Sequence, residues 1–257
     1  MNPAPVVEAF TALAPYYEET VDRELRLFWG VGYLEFVERL LSRLVIGEGE
    51  RVLDIATGTG VVPAAILAQA PPLRIHPDHG PVLGLDITPA MLAAARRRLG
   101  LAEKVQLVCG SGMAMPLAGG TFDVAICCLG THHMDVSALL AELSRVLRRG
   151  GRLLIADVCA TAFWRSLPGR VMFALLLGFY SLWLRLPRRG NGLEAYGVSM
   201  DRERARAEIE AFRNYRTPEE WRELLRQYGF AIVEMSEIPA LRRIYPGGVL
   251  IVGTLER

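Results

Sequence analysis

The sequence predicts an α/β fold: a seven-stranded, mostly parallel sheet with helices on both faces, an N-terminal helical segment and a helical insertion after the fifth strand. Three observations predict it. Between residues 51 and 158, short apolar runs alternate with segments of helical periodicity, the order of repeated β–α units. The run Gly151 to Val158 is almost continuously apolar, as a parallel strand covered on both faces must be. The last two strand segments, Phe230 to Ile238 and Gly248 to Leu255, have no helix between them, so antiparallel pairing is expected.

The first thirty residues mix aromatics and acids in helical order. Tyr33 to Val45 sets Leu34, Val37, Leu40, Leu41 and Leu44 at spacings of three and four, an amphipathic helix that Gly47 ends. Arg51 to Ala56 is the first strand. A helix is expected from Pro63 to Gln69, with proline in the first turn, where its missing N–H does no harm. Val82 to Asp86 is the second strand, and Thr88 caps a helix over Pro89 to Leu99. Val105 to Cys109 and Phe122 to Leu129 are the third and fourth strands, Val136 to Leu147 a helix, and Gly151 to Val158 the fifth strand. Thr217-Pro218-Glu219-Glu220 is a capping box. It opens a helix with Trp221, Leu224, Leu225 and Tyr228 on one face, and Gly229 stops it. The chain divides, within a single domain, into residues 1–46, a core over 47–158, the insertion over 159–216, and a C-terminal helix and strand pair over 217–257.

Half of the 257 residues are apolar, enough for a large core, and 29 basic residues balance 28 acidic ones. That balance argues against a dedicated nucleic-acid binder, which carries a basic excess. Cys109, Cys127, Cys128 and Cys159 show no CxxC or Cys/His spacing, so they are expected to be reduced, buried and not metal-bound. His76 and His79, in a proline-containing loop, are expected to be solvated, and no metal is predicted. Met1 to Phe10 has no basic region leading into an apolar core, so no signal peptide is expected and a cytoplasmic protein is predicted. The run Val171 to Leu184 carries no charge yet is shorter than the roughly 18 residues of a bilayer span. It reads as a buried helix, a substrate-pocket wall or an element resting on a membrane surface.

Four segments carry the chemistry. Val52-Leu53-Asp54-Ile55-Ala56-Thr57-Gly58-Thr59-Gly60 runs from a buried strand into a turn where glycine lets the backbone approach a ligand. Gly84-Leu85-Asp86-Ile87-Thr88 puts a carboxylate at the end of the second strand, where it can accept both hydroxyls of a ribose. That alone fits NAD as well as S-adenosyl-L-methionine. Gly110-Ser111-Gly112-Met113-Ala114-Met115-Pro116-Leu117, followed by Phe122-Asp123, is the third. Leu147-Arg148-Arg149-Gly150-Gly151-Arg152, feeding the fifth strand, is the fourth.

Taken in order over residues 50–158, these segments resemble the class I S-adenosylmethionine-dependent methyltransferases. Within that class they are most similar to the branch of the ubiquinone/menaquinone-biosynthesis C-methyltransferases and their small-molecule relatives, the methyltransferase type 11 group. The resemblance implies a Rossmann-like fold, S-adenosyl-L-methionine as cofactor and an N-terminal lid over residues 1–46. It implies that Asp54, Ala56, Thr57, Gly58, Thr59 and Gly60 wrap the methionine part of the cofactor. It further implies that Asp86 holds the ribose and Ile87 packs on the adenine. Ser111, Gly112 and Met113 would meet the adenine edge, and Cys128 would stand beside the cofactor. Ala14-Pro15-Tyr16-Tyr17-Glu18 resembles the lid segment, which makes Tyr17 a cover over the site and a catalytic candidate. The sequence departs from the pattern at Ser111, where relatives often carry an acid, and at Ala56, where glycine is common.

His132 and His133 follow the fourth strand at its carboxyl end, the side on which such sheets bind ligands. Either is a candidate general base or substrate-orienting donor, or the pair orders its loop. Methyl transfer from a sulfonium is a direct displacement, so the protein has mainly to align the partners and exclude water. Residues 159–216 are the expected acceptor cap, with Phe163, Trp164, Phe173, Phe179, Tyr180 and Trp183 followed by Arg185, Arg188 and Arg189. A small hydrophobic acceptor, quinone-, lipid- or polyketide-like, is expected, with peripheral membrane contact through 171–189 as the companion reading. The rival readings are an NAD(P)-dependent oxidoreductase, whose G-x-G-x-x-G pattern Pro63 breaks, and a non-catalytic cofactor-binding protein, which Ser111 alone supports.

Overall fold

The computed structural model describes residues 4–69, 73–100, 102–160, 166–169, 171–172, 175, 211–212, 214–242 and 246–256. The aromatic and basic residues of the insertion named above, from Phe163 to Arg189, lie outside the described residues.

The chain opens with helices α1 (Ala4–Leu13), α2 (Tyr17–Trp29) and α3 (Tyr33–Leu41), a 3₁₀ turn over Ala14–Tyr16 joining the first two. Helix α2 ends where Gly30 takes φ +70°, a left-handed cap that glycine adopts without strain. Asp22 then accepts the Tyr33 N–H at 2.9 Å and starts α3 against α2. Helix α3 stops four residues earlier than its apolar spacing predicts. Val45–Ile46 is instead a short strand, β1, pairing in parallel with β3 (Arg74–Ile75) in a separate two-stranded sheet.

The main sheet is built from β2 (Val52–Ile55), β4 (Val82–Asp86), β5 (Val105–Cys109), β6 (Phe122–Cys128), β7 (Leu147–Cys159), β8 (Phe230–Ile238) and β9 (Gly247–Leu255). Their spatial order is β5-β4-β2-β6-β7-β9-β8. All contacts from β5 to β7 are parallel, and β9 runs antiparallel to both β7 and β8. Helices α4 (Val61–Ala68), α5 (Pro89–Leu99), α6 (Val136–Val146) and α7 (Pro218–Gln227) cover it.

Strand alternation divides the core between the two faces. Val52, Val124, Ile126, Leu154 and Val252 pack with α2, α3 and α4. Leu53, Ala125, Cys127, Leu153 and Ile251 pack with α6 and α7. Every residue of β2 and β6 is buried, which is why these strands are apolar apart from Asp54 and Asp123.

Besides the end of α3, two elements and one side chain depart from the sequence expectation. Helix α4 begins at Val61 rather than Pro63, so the glycine turn passes straight into helix. Strand β7 begins at Leu147, because α6 ends a residue early and the Arg-Arg-Gly-Gly turn is absorbed into the sheet. Cys109 is exposed, while Cys127, Cys128 and Cys159 are buried and all four are free thiols. Cys109 is the last residue of edge strand β5, which has only β4 beside it. Among the described residues no helix is long and apolar enough to cross a membrane.

Candidate active site

The strands β2, β4 and β6 all point their carboxyl ends at one cavity, whose space, counted out to its mouth, is about 750 Å³. Its floor comes from the loops after these strands: Ala56 and Gly58; Leu85, Asp86, Ile87 and Thr88; Leu129, Gly130, His133 and Met134. Met91 of α5 and the turn Gly110 to Met113 form one wall, and Val6, Phe10 and Tyr17 of the N-terminal helices form the roof.

Asp86 ends β4 and ties two loops together. Its Oδ2 accepts the Gly58 N–H at 2.9 Å and its Oδ1 the Thr88 N–H at 2.8 Å. Burial raises its carboxyl above the ordinary value, and the N–H donors oppose that shift. Thr88 stands at the N-terminus of α5 but makes no side-chain cap. Gly58 has φ +54°, and a Cβ there would point across the cavity to within 3.7 Å of the Tyr17 ring. That is an ordinary contact distance, so it is the left-handed backbone rather than the space that favours glycine here. Tyr17 is buried, edge-on to Tyr33 at 6.2 Å, and burial raises its hydroxyl far above the physiological range. Burial thus favours the neutral phenol.

Of the residues singled out from the sequence, Tyr17, Ala56, Gly58, Asp86, Ile87, Ser111, Gly112, Met113 and His133 line this cavity. Asp54, Thr57, Thr59, Gly60, Cys128 and His132 do not. Asp54 is buried behind the turn, where its Oδ2 accepts the Thr57 hydroxyl at 2.6 Å. Gly60 lies against α5, its hypothetical Cβ 3.1 Å from that of Ala95. Cys128 is buried in the core under α2 and α3. The Thr59 hydroxyl is buried with no hydrogen-bond partner among the described residues, an orphan polar atom beside the turn. His132 lies behind His133, their ring centroids 4.1 Å apart. His133 in turn meets Phe10 edge-on at 5.0 Å.

Sequence reasoning did not assign Val6, Phe10, Leu85, Thr88, Met91, Gly110, Leu129, Gly130 and Met134 to the lining. Most are apolar, and α1 is remote in sequence from the strand ends. Gly130 is explained only by the fold: a Cβ there would lie 2.6 Å from the Ala56 Cβ, so the loops after β2 and β6 meet where only glycine fits.

The residues present suit a ligand that offers a sugar diol to the carboxylate and an apolar surface to the walls. A carboxylate faces a mainly apolar cavity that Ser111, Thr88 and His133 also border, a glycine turn lies against it, and an orphan hydroxyl sits behind that turn. Among the described residues no cluster of metal-binding side chains occurs.

Residues 53–155 match the family described as "Methyltransferase domain". The chain is 31% identical over 205 residues to the ubiquinone/menaquinone biosynthesis C-methyltransferase UbiE of Methylobacterium nodulans, covering 79% of this chain and 71% of that one. It is 27% identical over 235 residues to the protein of the same name from Cereibacter sphaeroides, covering 89% and 84%. Its fold superposes with a TM-score of 0.58 on the geranyl diphosphate C-methyltransferase of Streptomyces coelicolor, solved with Mg²⁺, geranyl diphosphate and S-adenosyl-L-homocysteine. That match covers 86% of this chain and 78% of the other at 14% identity. Fold and relatives together define an S-adenosyl-L-methionine-dependent methyltransferase. Within that class the chain belongs to the family of the ubiquinone/menaquinone biosynthesis C-methyltransferases.

Proposed function

We propose that this methyltransferase acts on a small hydrophobic acceptor, quinone-, lipid- or polyketide-like, by direct displacement. The observation that carries the reading is the cavity itself: apolar walls, one carboxylate at the end of β4 and one imidazole, that of His133, in its lining. S-adenosyl-L-methionine supplies an activated methyl group when bound. In this reading Asp86 accepts the ribose hydroxyls and Ile87 packs on the adenine, whose edge meets Ser111, Gly112 and Met113. Ala56 and Gly58 form the open side of the turn around the methionine part. Asp54, Thr57, Thr59 and Gly60 act from behind, fixing the turn's shape. Cys128 supports the floor from the core. Tyr17 and Phe10 exclude water from above, which strengthens the electrostatics within. His133 orients the acceptor or takes its proton.

Two of the named relatives above are quinone-biosynthesis enzymes and a third is named for an isoprenoid diphosphate. Those names, with the apolar lining and the greasy run at 171–184, support a hydrophobic acceptor. The same run, with the arginines that follow to 189, supports contact with an anionic membrane surface.

The test begins with calorimetry. S-adenosyl-L-homocysteine is expected to bind in the micromolar range, about −8 kcal/mol, and NADH not at all. Methyl transfer is then assayed on hydroquinones that differ only in tail length, and turnover should rise with the tail. No heat and no thermal shift at millimolar S-adenosyl-L-homocysteine would overturn the cofactor assignment. Preference for tail-less, polar acceptors would overturn the acceptor class. A charge at position 179 separates pocket from core. Phe179→Asp should cut transfer while leaving cofactor affinity and melting temperature near wild type. Loss of both would favour a structural role, since an unpaired buried charge is costly.

A further inference from the structure

Asp157 has no part in the reading above, yet it is the most deeply buried acid near the cavity, with no exposed surface. It stands near the carboxyl end of β7, beside the 3₁₀ turn Thr131–His133 that follows β6. Its carboxylate accepts the Thr131 hydroxyl, the His132 backbone N–H at 3.1 Å and the Val158 N–H at 2.7 Å. The fourth contact is His132 Nδ1, at 2.6 Å. An ionised carboxylate only accepts hydrogen bonds, so Nδ1 must carry the proton. The tautomer of His132 is thereby set.

A buried carboxylate is an expensive way to hold a turn, since apolar packing does the same without desolvating a charge. Every group it binds apart from its own neighbour Val158 belongs to this turn, and Asn214 Nδ2 donates to the His132 carbonyl at 3.1 Å from the other side. The turn carries His133 into the cavity wall. There the His133 ring is bracketed by His132 at 4.1 Å and Phe10 at 5.0 Å.

We propose that Asp157 is a positioning residue: through His132 it holds the His133 imidazole at the cavity, where that ring takes the acceptor's proton. This rests on the reading of His133 as facing the acceptor. In the step, the acceptor's O–H or C–H bond breaks and its electron pair forms the bond to the methyl carbon. The proton passes to an imidazole nitrogen of His133 and the sulfonium becomes a neutral thioether.

The chain has four histidines, so imidazole ¹⁵N spectra resolve each. His132 should appear as the Nδ1–H tautomer with a strongly downfield proton. Asp157→Asn should abolish that signal, shift the His133 resonances and lower transfer to the hydroquinone probe by about 10- to 100-fold in kcat. The dissociation constant for S-adenosyl-L-homocysteine should stay within about threefold, and Asp157→Glu should recover part of the rate. If Asp157→Asn does not fold, His132→Gln keeps a donor for Asp157 but removes the ring, and should lower kcat in the same way. Wild-type kcat in a folded variant that has lost the tautomer signal would overturn the proposal, as would His133 resonances that do not move. If the wild-type protein methylates no hydroquinone, the acceptor reading fails separately, and the His132 and His133 spectra still decide the positioning claim.

Discussion

Asp86 serves two loops with one carboxylate, and this sets what its removal should do. Gly58 and Thr88 each donate a backbone N–H to it, and the Thr88 hydroxyl and the Ile87 N–H also hydrogen-bond to it, while the residue borders the cavity. Asp86→Ala is expected to weaken S-adenosyl-L-homocysteine binding by about 1.5–3 kcal/mol, the range for hydrogen bonds to a charged group. Calorimetry reads this directly, and an unchanged affinity in a folded variant would remove Asp86 from the ribose. Asp86→Asn should not be benign, because its amide must turn a second donor toward one of two N–H donors. The polar part of the site was legible in the sequence for a physical reason. A carboxylate ending a buried strand, and glycines after one, have few other causes. The apolar part was not, since Met91, Leu129 and Met134 look like any core residue until the fold brings them together. Ala56 and Leu129 add a feature that pattern cannot carry. Both are non-glycine residues at φ +55°, both border the cavity, and each bears a cost of about 1–2 kcal/mol from Cβ contact with the backbone.

Among the elements, α7 shows the closest agreement between sequence and structure. Thr217 accepts the Glu220 N–H at 3.3 Å and the Glu220 carboxylate accepts the Thr217 N–H at 2.9 Å, with Pro218 in the first turn. Trp221 and Leu225 are buried on the α6 side of the sheet. Local side-chain chemistry fixes this helix start, so the sequence alone suffices. The end of α3 shows the opposite case. Its apolar spacing continues to Leu44, but Ile46 is claimed by a parallel pairing with Ile75, twenty-nine positions on, and long-range pairing is invisible to periodicity. At α6, Asp135 caps the helix by accepting the N–H groups of Ser137 and Ala138 at 2.9 and 3.2 Å, a local signal that the sequence did contain. For α7 the expected outcome is specific. Thr217→Ala should cost about 1 kcal/mol of stability, which for a chain of this size lowers the melting temperature by about 2–4 °C. Cofactor affinity should not change, because α7 contributes nothing to the cavity lining. A loss of affinity matching the loss of stability would mean that α7 and the cavity are coupled.

At the scale of the whole molecule, the sheet encloses buried carboxylates in an otherwise tightly packed interior, and Asp54 is the one whose proton affinity burial raises to near neutrality. Asp54 is 1% exposed and lies in the central strand β2. Burial pushes its pKa up from 3.8 to about 7, the Thr57 hydroxyl opposing and the charge of Asp86 adding to the rise. A carboxyl that binds its proton more tightly when folded makes the protein most stable below the unfolded value. That contribution is lost as pH rises through the folded one. The window therefore runs from about pH 4 to pH 7, with a slope of at most about 1.4 kcal/mol per pH unit for one proton. Asp86 is raised as well and acts in the same sense. Asp157 is lowered: burial opposes its charge, but His132, Thr131 and the Val158 N–H outweigh it. Its stabilisation is lost only as pH falls below the ordinary carboxylate range, so it does not mask the effect of Asp54. The melting temperature should fall between pH 5 and pH 8. Asp54→Asn, whose amide oxygen can still accept from Thr57, should flatten that fall without abolishing the part due to Asp86. Denaturant midpoints for the two proteins at matched pH values measure the difference. Parallel curves would mean that Asp54 is already ionised in the folded protein at pH 5, and that the turn beneath the cavity rests on a charge rather than on a neutral acid.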